Sequence, residues 1–345
     1  SSSAASDVYK RQDKKNKITI KKQTDTSVDS AYFCVINNSI NLLNYQKHMK
    51  KQFWYFIFLL FYIGTLPVQG KITLPAILSD NMVLQQKAQV RFWGKARPGE
   101  KVTVSTSWDK NIYTVQTPTD GHWEVKIKTP GVMDNQTLTV KGENTITIHN
   151  ILIGEVWLCT GQSNMEFPVA RDPNVKWKTG ILNETEEMKD ADYPSIRLFH
   201  VEHQLAPEGE KEDCIGRWLV CTPENVKEFS AVGFIFGRKL YKELQMPVGL
   251  IQSTWGGTHA ESWTERRVMK DNPLYADVME EFAPQNVKRE KDKCKVPATL
   301  WNGMIKPILG YTVKGAIWYQ GEANAMRYAC LLYTSPSPRD RTRSR

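Results

Sequence analysis

Histidine and cysteine are both scarce in this chain, with six of each among 345 residues. His200 and His203, in "LFHVEH", sit close together, but no Cys/His/Asp cluster stands near them, so neither a metal site nor a cofactor is expected. Long apolar runs are equally rare, and one stretch stands out: "FWYFIFLLFYIGTLPV" after Met49-Lys50-Lys51. A basic start, an apolar stretch short for a bilayer and small residues at its end describe a secretory signal peptide over 49–70; a single membrane anchor is the alternative. Gly64, Pro67 and the polar sequence that follows favour the signal peptide, leaving no stable anchor after cleavage. A secreted or periplasmic location and a bacterial source are then expected. Charge of one sign is also missing where it would matter. The formal charge is +9, but residues 71–329 hold 32 basic and 32 acidic side chains, so the whole excess lies in the flanks. That removes the electrostatic case for nucleic acid as a partner.

The flanks read as something other than protein domain. Asp7-Val8-Tyr9-Lys10-Arg11-Gln12 can be encoded by GAT GTG TAT AAG AGA CAG. Its reverse complement, read one base out of frame and extended by one base, encodes Cys330-Leu331-Leu332-Tyr333-Thr334-Ser335. The inverted match resembles a translated sequencing adaptor, so 1–12 and 330–345 are set aside from fold reasoning. Residues 13–48, rich in Lys, Asn, Thr and Ser without apolar period, read as translated upstream DNA.

Residues 71–150 are patterned as strands. "QVRFWGKA" and "KVTVSTSW" flank the turn "RPGE", and "IYTVQT" and "HWEVKIK" flank "PTDG", which predicts two antiparallel hairpins in a small β-sandwich. Trp93, Trp108 and Trp123 could offer a sugar-stacking platform, although tryptophans in such strands are more often core. From 151 the pattern alternates. "ILIGEVWLC", "PVGLIQST" (247–254) and "VKGAIWYQ" (313–320) read as buried strands. "SAVGFIFGRKLYKEL" (230–244) spaces Val232, Phe236, Leu240 and Leu244 four apart with Ser230 as N-cap, and predicts a helix. Strands alternating with helices predict a parallel sheet, hence an α/β domain over 151–329.

The three strands run into polar, glycine-containing loops: Gly161-Gln162-Ser163-Asn164, Trp255-Gly256-Gly257-Thr258 and Gln320-Gly321-Glu322-Ala323-Asn324. Ligands of open parallel sheets bind beyond the carboxyl ends of the strands, so these loops should share one pocket. Acyl transfer from an ester needs a nucleophile, a base and oxyanion donors. Ser163 offers the hydroxyl, on a turn that lacks the second glycine of a G-x-S-x-G elbow. The Ser163 N–H, the Gly257 N–H (Gly256 as the lesser choice) and the Gln320 side-chain amide are the candidate donors. Glu322 is expected to orient a neighbouring group. Gln162, Asn164, Gly256, Thr258 and Asn324 are the candidate substrate-binding residues. The base is the weak point: His259 is the one histidine expected near the pocket, with a surface or helix-start role as its alternative.

"GEVWLCTGQSNMEFPV", "GLIQSTWGGTHAESWT" and "LWNGMIKPILGYTVKGAIWYQGEAN" resemble the sialate O-acetylesterase family, as do "LPAILSDNMVLQQ" and "FSAVGFIFGRKL". The resemblance covers nearly all of 71–329. It implies an SGNH-type hydrolase with a three-layer α/β/α fold and accessory β-structure, which removes acetyl groups from sugar hydroxyls without a metal. The family's nucleophile falls on Ser163, its oxyanion glycine within Trp255-Gly256-Gly257-Thr258, and its Gln-Gly-Glu block on Gln320, Gly321 and Glu322. The family's Asp/His motif lies well downstream of that block, whereas here the adaptor-like sequence begins at Cys330. The 345-residue chain is therefore expected to hold a true nucleophile without its base and to turn over little, its partner an acetylated glycan. A non-catalytic glycan-binding protein is the competing expectation, and an acyltransferase a third. The exported route permits a Cys214–Cys221 disulfide across "CIGRWLVC"; free buried thiols are the equal alternative.

Overall fold

The computed structural model describes residues 70–327. The adaptor-like ends, the 13–48 stretch and all but the last residue of the 49–70 leader lie outside the described residues. Among the described residues no helix is long and apolar enough to cross a membrane.

The strands of the N-terminal part fall where alternation places them: β1 (Val83–Gln85), β2 (Gln89–Lys95), β3 (Lys101–Thr106), β4 (Ile112–Gln116), β5 (His122–Lys128) and β6 (Met133–Lys141). Their partners differ from the expected hairpins. β2 pairs antiparallel with β5 as a separate two-stranded sheet, while β3 pairs with β4 and β6. Thus "RPGE" carries the chain from one sheet to the other and "PTDG" carries it back. The physical reason is burial. Val90 and Phe92 of β2, Val102 and Val104 of β3, and Trp123, Val125 and Ile127 of β5 all belong to one core cluster. Passing between sheets lets each strand turn its apolar side into that shared core, which adjacent pairing alone would not provide. Trp123 is buried there, and Trp93 and Trp108 pack against the same cluster, so the three indoles serve the core.

β7 (Thr145–Gly161) is 17 residues long and joins two kinds of pairing. Its first half pairs antiparallel with β6 and its middle parallel with β1. Its second half lies between two parallel partners, β10 (Val248–Thr254) and β11 (Gly315–Tyr319). β8 (Tyr193–His200) pairs parallel with β10, and β9 (Trp218–Cys221) closes that side antiparallel to β8. Nine strands among the described residues thus form one mixed sheet, with few helices. The α/β class and its parallel strands are as expected.

The segment α1 (Ser163–Glu166) is a single turn after β7. The expected helix is present as α2 (Ala231–Leu244), with the Ser230 hydroxyl accepting from the Gly233 N–H at 3.0 Å. Its buried face, however, is Ala231, Gly233, Phe234 and Gly237, while Val232 and Leu244 are exposed and Phe236 and Leu240 only partly buried. Close approach selects this face: a Cβ on Gly237 would stand 2.5 Å from Leu250 Cδ1. α2 covers Cys159, Leu198 and Leu250 on one side of the sheet, whereas Val156, Phe199 and Ile251 join a core with Leu300, Met304 and Ile308 on the other. β10 is accordingly buried throughout. β11 is not: among the described residues it is bonded to β7 alone, and it exposes Trp318 and Tyr319.

All four cysteines of the described residues are free and buried, which decides between the two expectations for Cys214 and Cys221. Burial pushes the thiols of Cys159, Cys214 and Cys221 up to about 12 and raises that of Cys294. Thiolate is the reactive form, so alkylation of these four under native conditions at pH 8 should be slow and become complete on unfolding. Peptide mass mapping checks this; a joined Cys214–Cys221 peptide in the unreduced digest would contradict it.

Candidate active site

Register brings the three loops together. Thr254 of β10 and Tyr319 of β11 are both aligned with Gly161, the last residue of β7. The loops after these strands therefore leave one edge of the sheet side by side, as expected for a parallel arrangement. The Gln162 N–H donates to Tyr319 O at 3.0 Å and the Trp255 N–H to Gly161 O at 3.1 Å, which ties the loops at their roots.

A cleft of about 770 Å³ opens there, lined by Ser163, Asn164, Glu166, Trp177, Lys178, His203, Trp255, Gly256 and Gly257, among others. Ser163 is half-buried, the first residue of α1. Gly256 lies against it: a Cβ on Gly256 would be 3.4 Å from Ser163 Cβ. Gly257 has φ +72° and open space where a side chain would stand. Its left-handed backbone is one glycine adopts without steric cost.

The other expected site residues hold the loops to one another. The Gln162 side-chain oxygen accepts from the Ala323 N–H at 3.3 Å and the Gln320 amide at 3.4 Å. Gln320, considered above as an oxyanion donor, also donates to Asn324 Oδ1 at 2.6 Å and faces Thr258 O at 3.3 Å. Asn324 is buried, accepting from the Ala260 N–H at 2.9 Å and donating to Glu261 Oε2 at 2.8 Å. The Thr258 hydroxyl donates to Trp255 O at 2.7 Å and accepts from Trp263 Nε1 at 2.9 Å. Asn164 and Glu322, both exposed, are hydrogen-bonded through Asn164 Nδ2.

The histidines require a correction. His259 is buried, precedes the turn Ala260–Trp263 and packs edge-on against Phe282, with ring centroids 4.9 Å apart. His203 is the histidine that lines the cleft with Ser163. Its ring stacks on Trp255 at 4.0 Å and 6°, and its Nε2 lies 3.0 Å from Thr254 O and 3.4 Å from Glu166 Oε1. Its place comes from sheet order and not from a local motif: His203 follows the carboxyl end of β8, the strand beside β10. Glu166 was legible, since Ser163 and Glu166 are three apart on one helical turn. Trp177 and Lys178 lie on an irregular excursion with no periodic signal.

Charge in the cleft is balanced around Glu166. Burial pushes this carboxyl up, but His203, Lys178 and the Gly256 N–H outweigh it and hold it below the ordinary range. His200 behind it is pushed down to about 4, first by burial and then by His203 and Lys178, against the pull of Glu166. Both shifts have one consequence. His200 stays neutral in the fold where an unfolded chain would protonate it, so its contribution is complete above pH 6.5 and is lost as pH falls towards 4. The loss is about 3 kcal/mol at most, and Glu166 adds to it further down, below its unfolded value of 4.5. Denaturation midpoints at pH 7, 5.5 and 4.5 should fall in that order, and the His200→Phe variant should flatten the slope. An unchanged slope in that variant would contradict the assignment.

A half-buried serine and a glycine with open space around it thus meet at the carboxyl edge of a parallel sheet on an α/β scaffold. Residues 153–334 match the family model of carbohydrate esterases, sialic acid-specific acetylesterases, and the chain belongs to that family. It is 36% identical over 285 residues to the sialate O-acetylesterase of Homo sapiens and 34% identical over 302 residues to that of Mus musculus. These alignments cover 76% of this chain, and 50% and 53% of the relatives, so the chain spans about half the length of the curated relatives it matches. Among solved structures it is similar to a carbohydrate acetylesterase from Xanthomonas citri. That match has a TM-score of 0.62 and 30% identity, and covers 74% of this chain and 52% of the other.

Proposed function

We propose that the protein is a serine esterase that removes acetyl groups from the hydroxyls of sugars, sialic acid among them. The observation that carries this reading is the common register of Gly161, Thr254 and Tyr319, which sets Ser163 beside Gly256-Gly257 and the Gln320 loop. Ser163 Oγ attacks the acetyl carbonyl, and its proton passes to a base. The oxyanion forms beside the Ser163 and Gly257 N–H groups, each such donor contributing about 3–4 kcal/mol to the transition state. Collapse breaks the bond to the sugar oxygen, which leaves as a hydroxyl after taking the proton. Water then attacks the acetyl-serine, releasing acetate and restoring Ser163. Gln162, Gln320 and Asn324 act as ties that keep the three loops in place, and Asn164 with Glu322 forms the rim. His203 Nε2 is engaged by Thr254 and Glu166, so the reading leaves the Ser163 proton to a base outside the described residues. The family resemblance supports an Asp/His pair for that role.

The test is acetate release from O-acetylated sialic acid and from O-acetylated neutral sugars, measured with the gene-encoded protein. Hydrolysis of either supports the reading. Binding of these sugars without any acetate release would replace it with a non-catalytic glycan-binding protein.

A further inference from the structure

The proposed mechanism leaves one buried ionised group in the cleft without a task. Glu166 is 5% exposed. A carboxylate at such depth is costly unless it is paired and hydrogen-bonded. Its two oxygens are divided. Oε2 accepts the Gly256 N–H at 2.5 Å, while Oε1 faces Lys178 Nζ and His203 Nε2, each at 3.4 Å. The same His203 holds Thr254 O and stacks on Trp255. Three consecutive residues ahead of Gly257 are thus gripped from Glu166 and its partner. There is no slack at the contact, since a Cβ on Gly256 would come within 3.0 Å of Oε2.

Ser163 and Glu166 begin and end the single turn α1. The turn that carries the hydroxyl therefore also carries the clamp on the facing loop. Because the Gly256 N–H is spent on Glu166, the N–H left to the cleft from this glycine pair is that of Gly257. We propose that Glu166 is a positioning residue, which locks the 254–257 loop to the nucleophile's own turn and so presents the Gly257 N–H to the oxyanion. Lys178 and His203 keep the clamp charged and in place. The inference rests on the esterase reading above and deepens it.

The experiment compares Glu166→Ala and Glu166→Gln with the parent protein, using Ser163→Ala as a reference. Glutamine keeps a carbonyl acceptor for the Gly256 N–H; alanine keeps none. Glu166→Ala should lower kcat for acetate release by 10- to 100-fold with KM changed less than threefold, because a misplaced oxyanion donor acts on the transition state. Glu166→Gln should retain at least a fifth of the parent kcat. With ¹⁵N-glycine labelling, the Gly256 amide proton should resonate far downfield in the parent and in Glu166→Gln, and move upfield in Glu166→Ala. Equal loss of kcat in both variants would overturn the proposal, as would a displaced Gly256 amide with kcat unchanged. Should Glu166→Ala not fold, the glutamine variant decides: kcat reduced beyond fiftyfold with the amide in place would overturn it. Acetate release that survives Ser163→Ala would instead refute the esterase reading. If the parent releases no acetate, the amide decides alone, and a Gly256 resonance that ignores both substitutions overturns the clamp.

Discussion

In the gene-encoded protein that carries the base, replacing Ser163 by alanine is expected to abolish acetate release, by on the order of 10⁴-fold or more in kcat, and to leave the fold intact. Both halves follow from where the hydroxyl sits. Ser163 faces an open cleft and not one of the buried ties, so losing a single oxygen removes little packing. Its backbone N–H stays, as do the Gly257 amide and the loop network of Gln162, Gln320 and Asn324. An acetylated sugar should therefore still bind. What disappears is the covalent step, for which the cleft offers no second hydroxyl among the residues named above. The measurement pairs acetate release with calorimetric binding of the acetylated sugar and a thermal melt. Loss of release with binding and melting retained would identify Ser163 as the nucleophile. Release within tenfold of the parent would rule that role out, whatever the family resemblance implies.

How far the sequence foretold this site depends on the kind of signal each residue carries. Buried strands followed by glycine-containing polar loops could be seen in the chain, and parallel pairing then fixed where those loops meet. Ser163, Gly256, Gly257 and Gln320 were picked out as candidates in that way, and the strand register brings their loops side by side. Spacing within an element was readable as well, as Ser230 capping α2 shows. Partners across space were not. The "RPGE" and "PTDG" turns look like hairpin turns because local chemistry cannot tell a turn within a sheet from one between two sheets. The buried face of α2 was misjudged for a related reason: Gly233 and Gly237 contribute nothing to a hydrophobic pattern, yet they let the helix approach Leu250. His203 was passed over because proximity in sequence favoured His259. Its place in the cleft depends on β8 lying next to β10, a fact of sheet order that no local motif records.

The largest stability effect is expected at Gly161, where the backbone of the site is most constrained. Its φ is +143°, a region nearly closed to residues with a Cβ. The space is closed as well: a Cβ would stand 2.1 Å from Tyr319 O and 2.7 Å from Tyr319 C. The nearest atoms are all Tyr319 backbone, which leaves nothing flexible to yield, so Gly161→Ala must either distort β7 or push β11 away. Either movement breaks the Gln162 N–H to Tyr319 O hydrogen bond that roots the Gln320 loop. Strain of this kind costs about 1–3 kcal/mol before the clash is added, so a total of about 3 kcal/mol or more is expected. For a domain of this size that corresponds to a fall in Tm of roughly 6–12 °C. Gly257→Ala is the informative contrast. Its φ of +72° also disfavours alanine, but open space surrounds the position, so only the conformational cost of about 1–2 kcal/mol applies. The two variants should therefore separate: Gly161→Ala loses stability first and activity with it, whereas Gly257→Ala loses activity at a modest cost in Tm. Equal thermal shifts would mean that β11 can move aside freely, and that the common register of the strand ends does not hold the site together.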